Sequence, residues 1–292
     1  MRRPVARRAV LLGALGLAAC GRSAKPADAP KIAESTGAMT LEDAVAGAWR
    51  TPADKARDAA RHPVDSLRFW GLAPGQTVVE FWPGSGWYTD ILAPYLAANN
   101  GTLRAANLEL REPADPSTRE VVDAYRRRFE ADPKLYGRIQ FTAFGPTSGP
   151  VAPAASADLV LFLRNVHNWM AAGLAEKAFR DAFAALKPGG MLGVEEHRAA
   201  PGGVQDPLAA DGYVQQAYMT QLASEAGFAA DGASEVNANP KDTRDHPFGV
   251  WTLPPVRRSS PRGQPDDPSF DHARYDAIGE SDRMTLRFVK PR

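Results

Sequence analysis

The stretch Asp158-Leu159-Val160-Leu161-Phe162-Leu163 constrains the fold more than any other in the chain. Only its first residue is polar. A strand with one face in water alternates apolar and polar side chains, so a run without alternation belongs to a strand covered on both faces. Such a strand needs a sheet with helices above and below it. The flanking sequence supplies both. Strands are predicted at residues 76–82, 102–107, 138–144, 158–163 and 191–197, after Ala226-Gly227-Phe228, and at 283–289. Helices are predicted at residues 51–61, 64–70, 87–96, 117–131, 175–186 and 213–226. Thr51-Pro52 starts the first helix with a hydroxyl cap and a proline at the first turn. Ser117 and Glu120 have the spacing of a capping box. Strand alternates with helix, which is the pattern of an α/β, doubly wound, mostly parallel seven-stranded sheet. Ligands of such sheets lie beyond the carboxyl ends of the strands, near the point where strand order reverses. Functional residues are therefore expected just after each strand.

Composition narrows the class. The chain has 292 residues, 44% hydrophobic and 24% charged, which suits one large globular domain. A net charge of +1 gives no support for nucleic-acid binding. The single cysteine excludes an internal disulfide and a cysteine-based zinc cluster. That cysteine, Cys20, closes a segment that begins with four arginines and continues as an apolar run from Ala9 to Ala19. The run is too short to span a bilayer and has the form of a secretory signal. Leu17-Ala18-Ala19-Cys20 resembles the bacterial lipobox, which implies a diacylglycerol on Cys20, a membrane anchor, and a place on the periplasmic side of the envelope, at the outer membrane. On this reading residues 1–19 are the signal, 20–39 a flexible tether and 40–292 the domain. Loss of Arg2, Arg3, Arg7 and Arg8 with the signal takes the net charge from +1 to −3.

The most informative motif follows the first strand: Glu80-Phe81-Trp82-Pro83-Gly84-Ser85-Gly86-Trp87-Tyr88-Thr89. Gly84 and Gly86 allow a tight turn and close approach of a ligand to the backbone. As a nicotinamide-dinucleotide fingerprint the motif lacks its third glycine, where Thr89 stands. It resembles motif I of class I S-adenosylmethionine-dependent methyltransferases. Leu186-Lys187-Pro188-Gly189-Gly190, Asp158-Leu159-Val160 and Glu225-Ala226-Gly227-Phe228 match further landmarks of that family in order. FWPGSGWYTDILAPYL, LRNVHNW and DRMTLRFVKP resemble a bacterial group of predicted methyltransferases with signal peptides. The resemblance implies S-adenosylmethionine as cofactor and an unidentified small molecule as substrate. It assigns Glu80, Gly84, Ser85, Gly86, Asn107, Arg164 and Asn165 to cofactor binding. Glu80 would hold the methionine amino group or loop amides, or would only stabilise the turn. Three positions depart from the pattern. Trp82 replaces the first loop glycine. Asn107 replaces the acid that holds the ribose, with Glu109 as a nearby substitute. Ala143-Phe144-Gly145 lacks the acid that contacts adenine, and Phe144 is either a stacking surface or core.

The fourth and fifth strands end in polar clusters. Arg164, Asn165, His167 and Asn168 follow the fourth, and Glu195, Glu196 and His197 close the fifth. His167 is a candidate general base, since imidazole titrates near neutrality, or a hydrogen-bonded cap. Strand alternation puts Glu195 and His197 on one face. Either residue is expected to back His167 in proton abstraction, with a solvated strand end as the plain alternative. His167, Glu195 and His197 lack a metal-binding spacing, and no metal is expected. Residues 237–280 form a proline-rich insertion before the last strand, either a lid or a surface loop. The methyltransferase reading competes with a non-catalytic ligand-binding lipoprotein that retains the fold.

Overall fold

The computed structural model describes residues 38–292. The signal, Cys20 and nearly all of the tether lie outside the described residues. One compact unit runs from Ala38 to Arg292. Its sheet has seven strands: β1 (Thr77–Phe81), β2 (Thr102–Leu108), β3 (Gln140–Phe144), β4 (Ala157–Leu163), β5 (Leu186–His197), β6 (Ala229–Ser234) and β7 (Arg283–Val289). Their order is β3-β2-β1-β4-β5-β7-β6. β1 to β5 are parallel, and β7 runs antiparallel between β5 and β6. Strand order reverses between β1 and β4, so the crevice for a ligand opens above those two strands.

The apolar run of β4 is covered on both faces. Val160 and Phe162 pack with Val79, Phe81 and Val194 against Trp169, Phe179 and Ala182. Leu159 and Leu161 pack with Val78 against Leu67, Trp70, Ile91 and Leu92. All are essentially inaccessible to solvent. Truncating Phe162 to alanine would cost about 3–5 kcal/mol. Gly193 in β5 has a packing reason: a Cβ there would come within 2.5 Å of the Trp70 ring. Among the described residues no helix is long and apolar enough to cross a membrane.

Several local expectations shift. The helix after β2 spans Pro116–Glu130, and its cap is Asp115 rather than Ser117. Asp115 Oδ1 accepts from Thr118 N at 2.9 Å, with Pro116 in the first turn where its missing N–H does no harm. The helix predicted over 51–61 breaks at Arg57 into Pro52–Ala56 and Asp58–Arg61. The helix predicted over 213–226 begins only at Gln216. Val214 instead bridges to Arg198, and Tyr213 is buried with its hydroxyl on Asp242. The insertion at 237–280 is tied to the domain rather than free of it. Asp242 accepts from Asp282 N at 2.8 Å and pairs with His246 at 2.8 Å, and both side chains are buried.

The antiparallel β7 matters most for the site. His197 at the end of β5 pairs with Arg283 at the start of β7. The segment that enters β7 therefore meets the carboxyl ends of β4 and β5, carrying Glu280, Ser281 and Arg283.

Candidate active site

The glycine loop leaves β1 at Trp82. This residue adopts φ 41°, a left-handed conformation that disfavours any side chain. The backbone thus keeps the shape a glycine would take. The indole Nε1 donates to Phe144 O at 2.9 Å, and the ring packs on Phe144 and Trp169. The side chain therefore covers the carboxyl ends of β1 and β3. Gly84 and Gly86 have φ of 60° and 91°. They serve different ends. A Cβ on Gly84 would meet nothing within 4 Å, so open space lies above it. A Cβ on Gly86 would come within 2.4 Å of Phe129, so this glycine makes room for the helix Pro116–Glu130. Ser85 O accepts from Arg128 Nη1 at 2.8 Å, and Arg128 also pairs with Asp90.

Glu80 lies under the loop, 2% exposed. Thr89 Oγ1 donates to it at 2.7 Å and lies 2.9 Å from the Tyr125 hydroxyl. Burial pushes its carboxyl up to about 8. The partner of Glu80 is thus the threonine that stands at the third-glycine position of a nicotinamide fingerprint.

At the end of β2, Asn107 is buried. Its Oδ1 accepts from Leu108 N at 2.8 Å, while its Nδ2 finds no partner among the described residues. Native proteins rarely leave a buried donor unpaired, so this amide calls for an explanation. Asn107 lines a cavity of about 420 Å³ with Leu108, Glu109, Asp123, Phe141 and Ala143. Glu109, the expected substitute for the missing acid, is engaged elsewhere. It accepts from Thr147 N at 3.0 Å and Thr147 Oγ1 at 2.6 Å. Phe144 is core, packed on Phe81 and Trp169.

Beyond β4, Asn165 Nδ2 donates to Trp82 O at 3.0 Å and to Phe81 O and Leu163 O at 3.3 Å. It ties the glycine loop to the β4 mouth. His167 lies on the short helix Val166–Ala171, and its carboxylate partner is Glu196, not Glu195. Glu196 Oε2 accepts from Val166 N at 2.6 Å and His167 N at 3.3 Å. Its Oε1 lies 2.9 Å from His167 Nδ1 and accepts from His197 N at 2.8 Å. A carboxylate beside free amides at a helix start is well placed electrostatically. With Nδ1–H donating to Glu196, the lone pair of His167 is on Nε2. Nε2 has no partner among the described residues, and His167 lines a second cavity.

Glu195 points to the opposite face of β5. It is held by Arg164 Nη1 at 2.9 Å, Arg283 Nε at 2.9 Å and the Tyr88 hydroxyl at 3.1 Å. Burial would raise its carboxyl, but the guanidinium groups of Arg164, Arg283 and Arg61 keep it below the usual range. The expected pairing of Glu195 with His167 therefore does not form, because alternation along β5 sends neighbouring carboxylates to opposite sides. His197 Nδ1 lies 2.6 Å from Ser281 Oγ, and its ring is 5.2 Å from that of His167. Burial, then the nearby His167 and Arg283, push its imidazole well below the usual value, so it is neutral.

The second cavity holds about 310 Å³. One wall is Arg57, Arg61, Arg164 and Glu280, the floor is His167 and His197, and the insertion covers it with Val250, Trp251 and residues 253–256. Burial and then repulsion from Arg164 push the Arg61 guanidinium down to about 9. Burial works against ionisation of Glu280, but Arg61, Arg283 and Arg57 hold its carboxyl down at about 2. Ligand atoms of His167, Glu196 and His197 lie within 4.8 Å of one another. Glu196 already takes part in four hydrogen bonds, and the surrounding guanidinium groups oppose a dication. Arg57, Arg61, Glu196, Trp251 and Glu280 are the site residues that sequence reasoning missed. Glu196 showed only as the middle of Glu195-Glu196-His197, and the four-residue spacing of Arg57 and Arg61 reads equally as a solvated helix face.

No protein-family model matches the chain, and no curated protein matches it in sequence. Solved structures do match. The [4+2]-cyclase SpnF is 17% identical with a TM-score of 0.50, over 86% of this chain and 91% of that one. A complex of Haloferax volcanii containing the Trm112 methyltransferase activator is 15% identical with a TM-score of 0.50, over 86% of this chain and 98% of that one. An S-adenosylmethionine-dependent methyltransferase of Aquifex aeolicus is 16% identical with a TM-score of 0.48, over 68% of this chain and 94% of that one.

The fold is the Rossmann-like methyltransferase fold. Its antiparallel β7 sets it apart from the usual dinucleotide-binding order of strands. A cyclase shares it, so the fold alone does not select a reaction.

Proposed function

We propose that this chain is an S-adenosylmethionine-dependent methyltransferase acting on a small molecule. One observation carries the reading: beyond the carboxyl ends of the strands on either side of the switch point stand two polar groups with no partner among the described residues. Asn107 Nδ2 stands on the β2 side and His167 Nε2 on the β4–β5 side. The first side fits the nucleoside end of the cofactor. The Asn107 side chain would meet a ribose hydroxyl, Gly84 leaves open space, and Asn107 lines a cavity of small-ligand size at the ends of β2 and β3. Bound there, the cofactor would supply a methyl group on a sulfonium centre.

The chain's own residues do the rest. The arginine-lined cavity binds and orients the acceptor. His167 Nε2 takes a proton from an acceptor hydroxyl or amine, and Glu196 holds the imidazole and stabilises the imidazolium that forms. His197, neutral beside it, adds no opposing charge. The insertion around Trp251 would place apolar side chains beside the acceptor.

A second reading, a ligand-binding protein without catalysis, is favoured by Trp82 and Asn165. Their side chains occupy the loop's outer face and its carbonyls, where the methionine end would lie. Calorimetric titration of the full chain with S-adenosylmethionine and its demethylated product separates the two. Binding that Gly84→Val abolishes, with the native circular dichroism spectrum retained despite the strain of a side chain at φ 60°, supports the methyltransferase. No binding at millimolar ligand sinks it. We also propose that the domain is anchored on the periplasmic side through lipid on Cys20. Unchanged membrane attachment of Cys20→Ser would count against this.

A further inference from the structure

We infer that the cavity at the mouths of β4, β5 and β7 binds a small organic anion, a carboxylate or phosphate head joined to an apolar body. Anion binding stands on the cavity alone; that the anion is the methyl acceptor rests on the methyltransferase reading above.

Charges and hydrogen bonds around the cavity do not balance. Four guanidinium groups, of Arg57, Arg61, Arg164 and Arg283, surround two carboxylates, Glu195 and Glu280. Glu280 is shared by Arg57 Nε at 2.7 Å, Arg61 Nε at 3.1 Å and Arg283 Nη1 at 2.6 Å. Glu195 takes Arg164 and Arg283. Arg283 is turned to the protein: its Nε lies in an ion pair with Glu195 and its Nη2 donates to Ala60 O. Arg57 and Arg61 bond through Nε alone. Their four terminal nitrogens have no hydrogen-bond partner among the described residues, although the Arg61 side chain is only 6% exposed.

A buried guanidinium with its fork unmatched is costly, and a planar or tetrahedral oxyanion is the group that matches it. The guanidinium of Arg61 lies over the Trp87 ring at 4.6 Å, so it is held in place. Burial first, then repulsion from Arg164, depresses the ionisation of Arg61. The insertion adds an apolar part to the wall: Val250, Trp251, Leu253 and two prolines. A cavity of about 310 Å³ is at the small end of ligand pockets. An inorganic anion would leave that wall unused.

The test is calorimetric titration of the full chain, without any cofactor, with benzoate, phenyl phosphate, inorganic phosphate, benzyl alcohol and benzamidine. Benzoate or phenyl phosphate should bind at least tenfold more tightly than benzyl alcohol and benzamidine. Phenyl phosphate should exceed inorganic phosphate, and the tighter of the two aromatic anions names the head group. Arg61→Gln should weaken that binding about tenfold or more. Arg57→Gln, at a more exposed site, should weaken it too and guards against a folding defect in the first variant. Equal binding of benzoate and benzyl alcohol, or anion binding unchanged in both variants, would overturn the inference. Because no cofactor is present, that failure leaves the methyltransferase reading standing. Loss of S-adenosylmethionine binding with benzoate still bound has the opposite meaning.

Discussion

Replacing Glu196 with glutamine tests the centre of the proposed site. The carboxylate takes part in four hydrogen bonds, with the backbone N–H groups of Val166, His167 and His197 and with His167 Nδ1. An amide keeps one oxygen. With that oxygen on the Val166 and His167 amides, the new NH2 group faces His167 Nδ1 and the His197 N–H. Nδ1 can adapt by releasing its proton and accepting a bond from the amide. The His197 N–H cannot adapt and loses its acceptor, and a buried unpaired donor costs about 1–3 kcal/mol. The reverse orientation strands two backbone donors instead of one, so it is disfavoured. The adaptation moves the imidazole proton to Nε2, and the nitrogen facing the cavity changes from acceptor to donor. A base in the wrong tautomer should lower the rate with a hydroxyl acceptor about 10²–10⁴-fold. Nitrogen-15 NMR of the imidazoles at pH 8, assigned with His167→Asn, reads the tautomer without any substrate. Urea denaturation reads the stability loss. An Nε2 still unprotonated in Glu196→Gln, or unchanged stability, would refute the reasoning.

Three further outcomes follow from buried groups. Glu280 ionises at about 2 against an ordinary 4.5. A depressed carboxyl contributes stability that is complete above 4.5 and is lost as pH falls toward 2, so Glu280→Gln should be less stable than wild type by on the order of 3 kcal/mol at pH 6. The gap should close near pH 2 in paired denaturation curves. Glu80 has the opposite sign, ionising at about 8 against 4.5. Wild type should lose stability relative to Glu80→Gln as pH rises from 4.5 to 8, by on the order of 4–5 kcal/mol at most, in the same kind of experiment. Asn107→Leu removes an unpaired buried donor. It also removes the acceptor of the Leu108 N–H, so the two effects should offset to within about 1 kcal/mol in denaturation curves, while S-adenosylmethionine binding weakens in calorimetry.

The strand list was legible because each strand carries its own signal. The apolar run of β4 and the Pro-Gly and Asn-Gly turns before β1 and β2 are local features, and local features survive without a partner. Boundaries moved where a tertiary contact outbid local preference, as at Tyr213, whose hydroxyl left a predicted helix for Asp242. The glycine motif was legible too, but its division of labour was not. Gly86 accommodates Phe129, 43 positions away, while Gly84 stands open, and nothing in a GSG triplet distinguishes them.

By itself the amino-acid order determined a two-sided α/β sheet, a glycine loop after β1, and a histidine at the mouth of β4. Those follow from periodicity and turn chemistry, which act within about ten residues. Only the tertiary structure decided which acid serves His167 and what lines the second cavity. The antiparallel β7 brings Glu280 and Arg283 beside Arg61, more than 200 residues earlier in the chain, and the pleat of β5 turns Glu195 to the arginines and Glu196 to the imidazole. Such pairings are set by long-range packing, and composition shows only that the charges nearly balance.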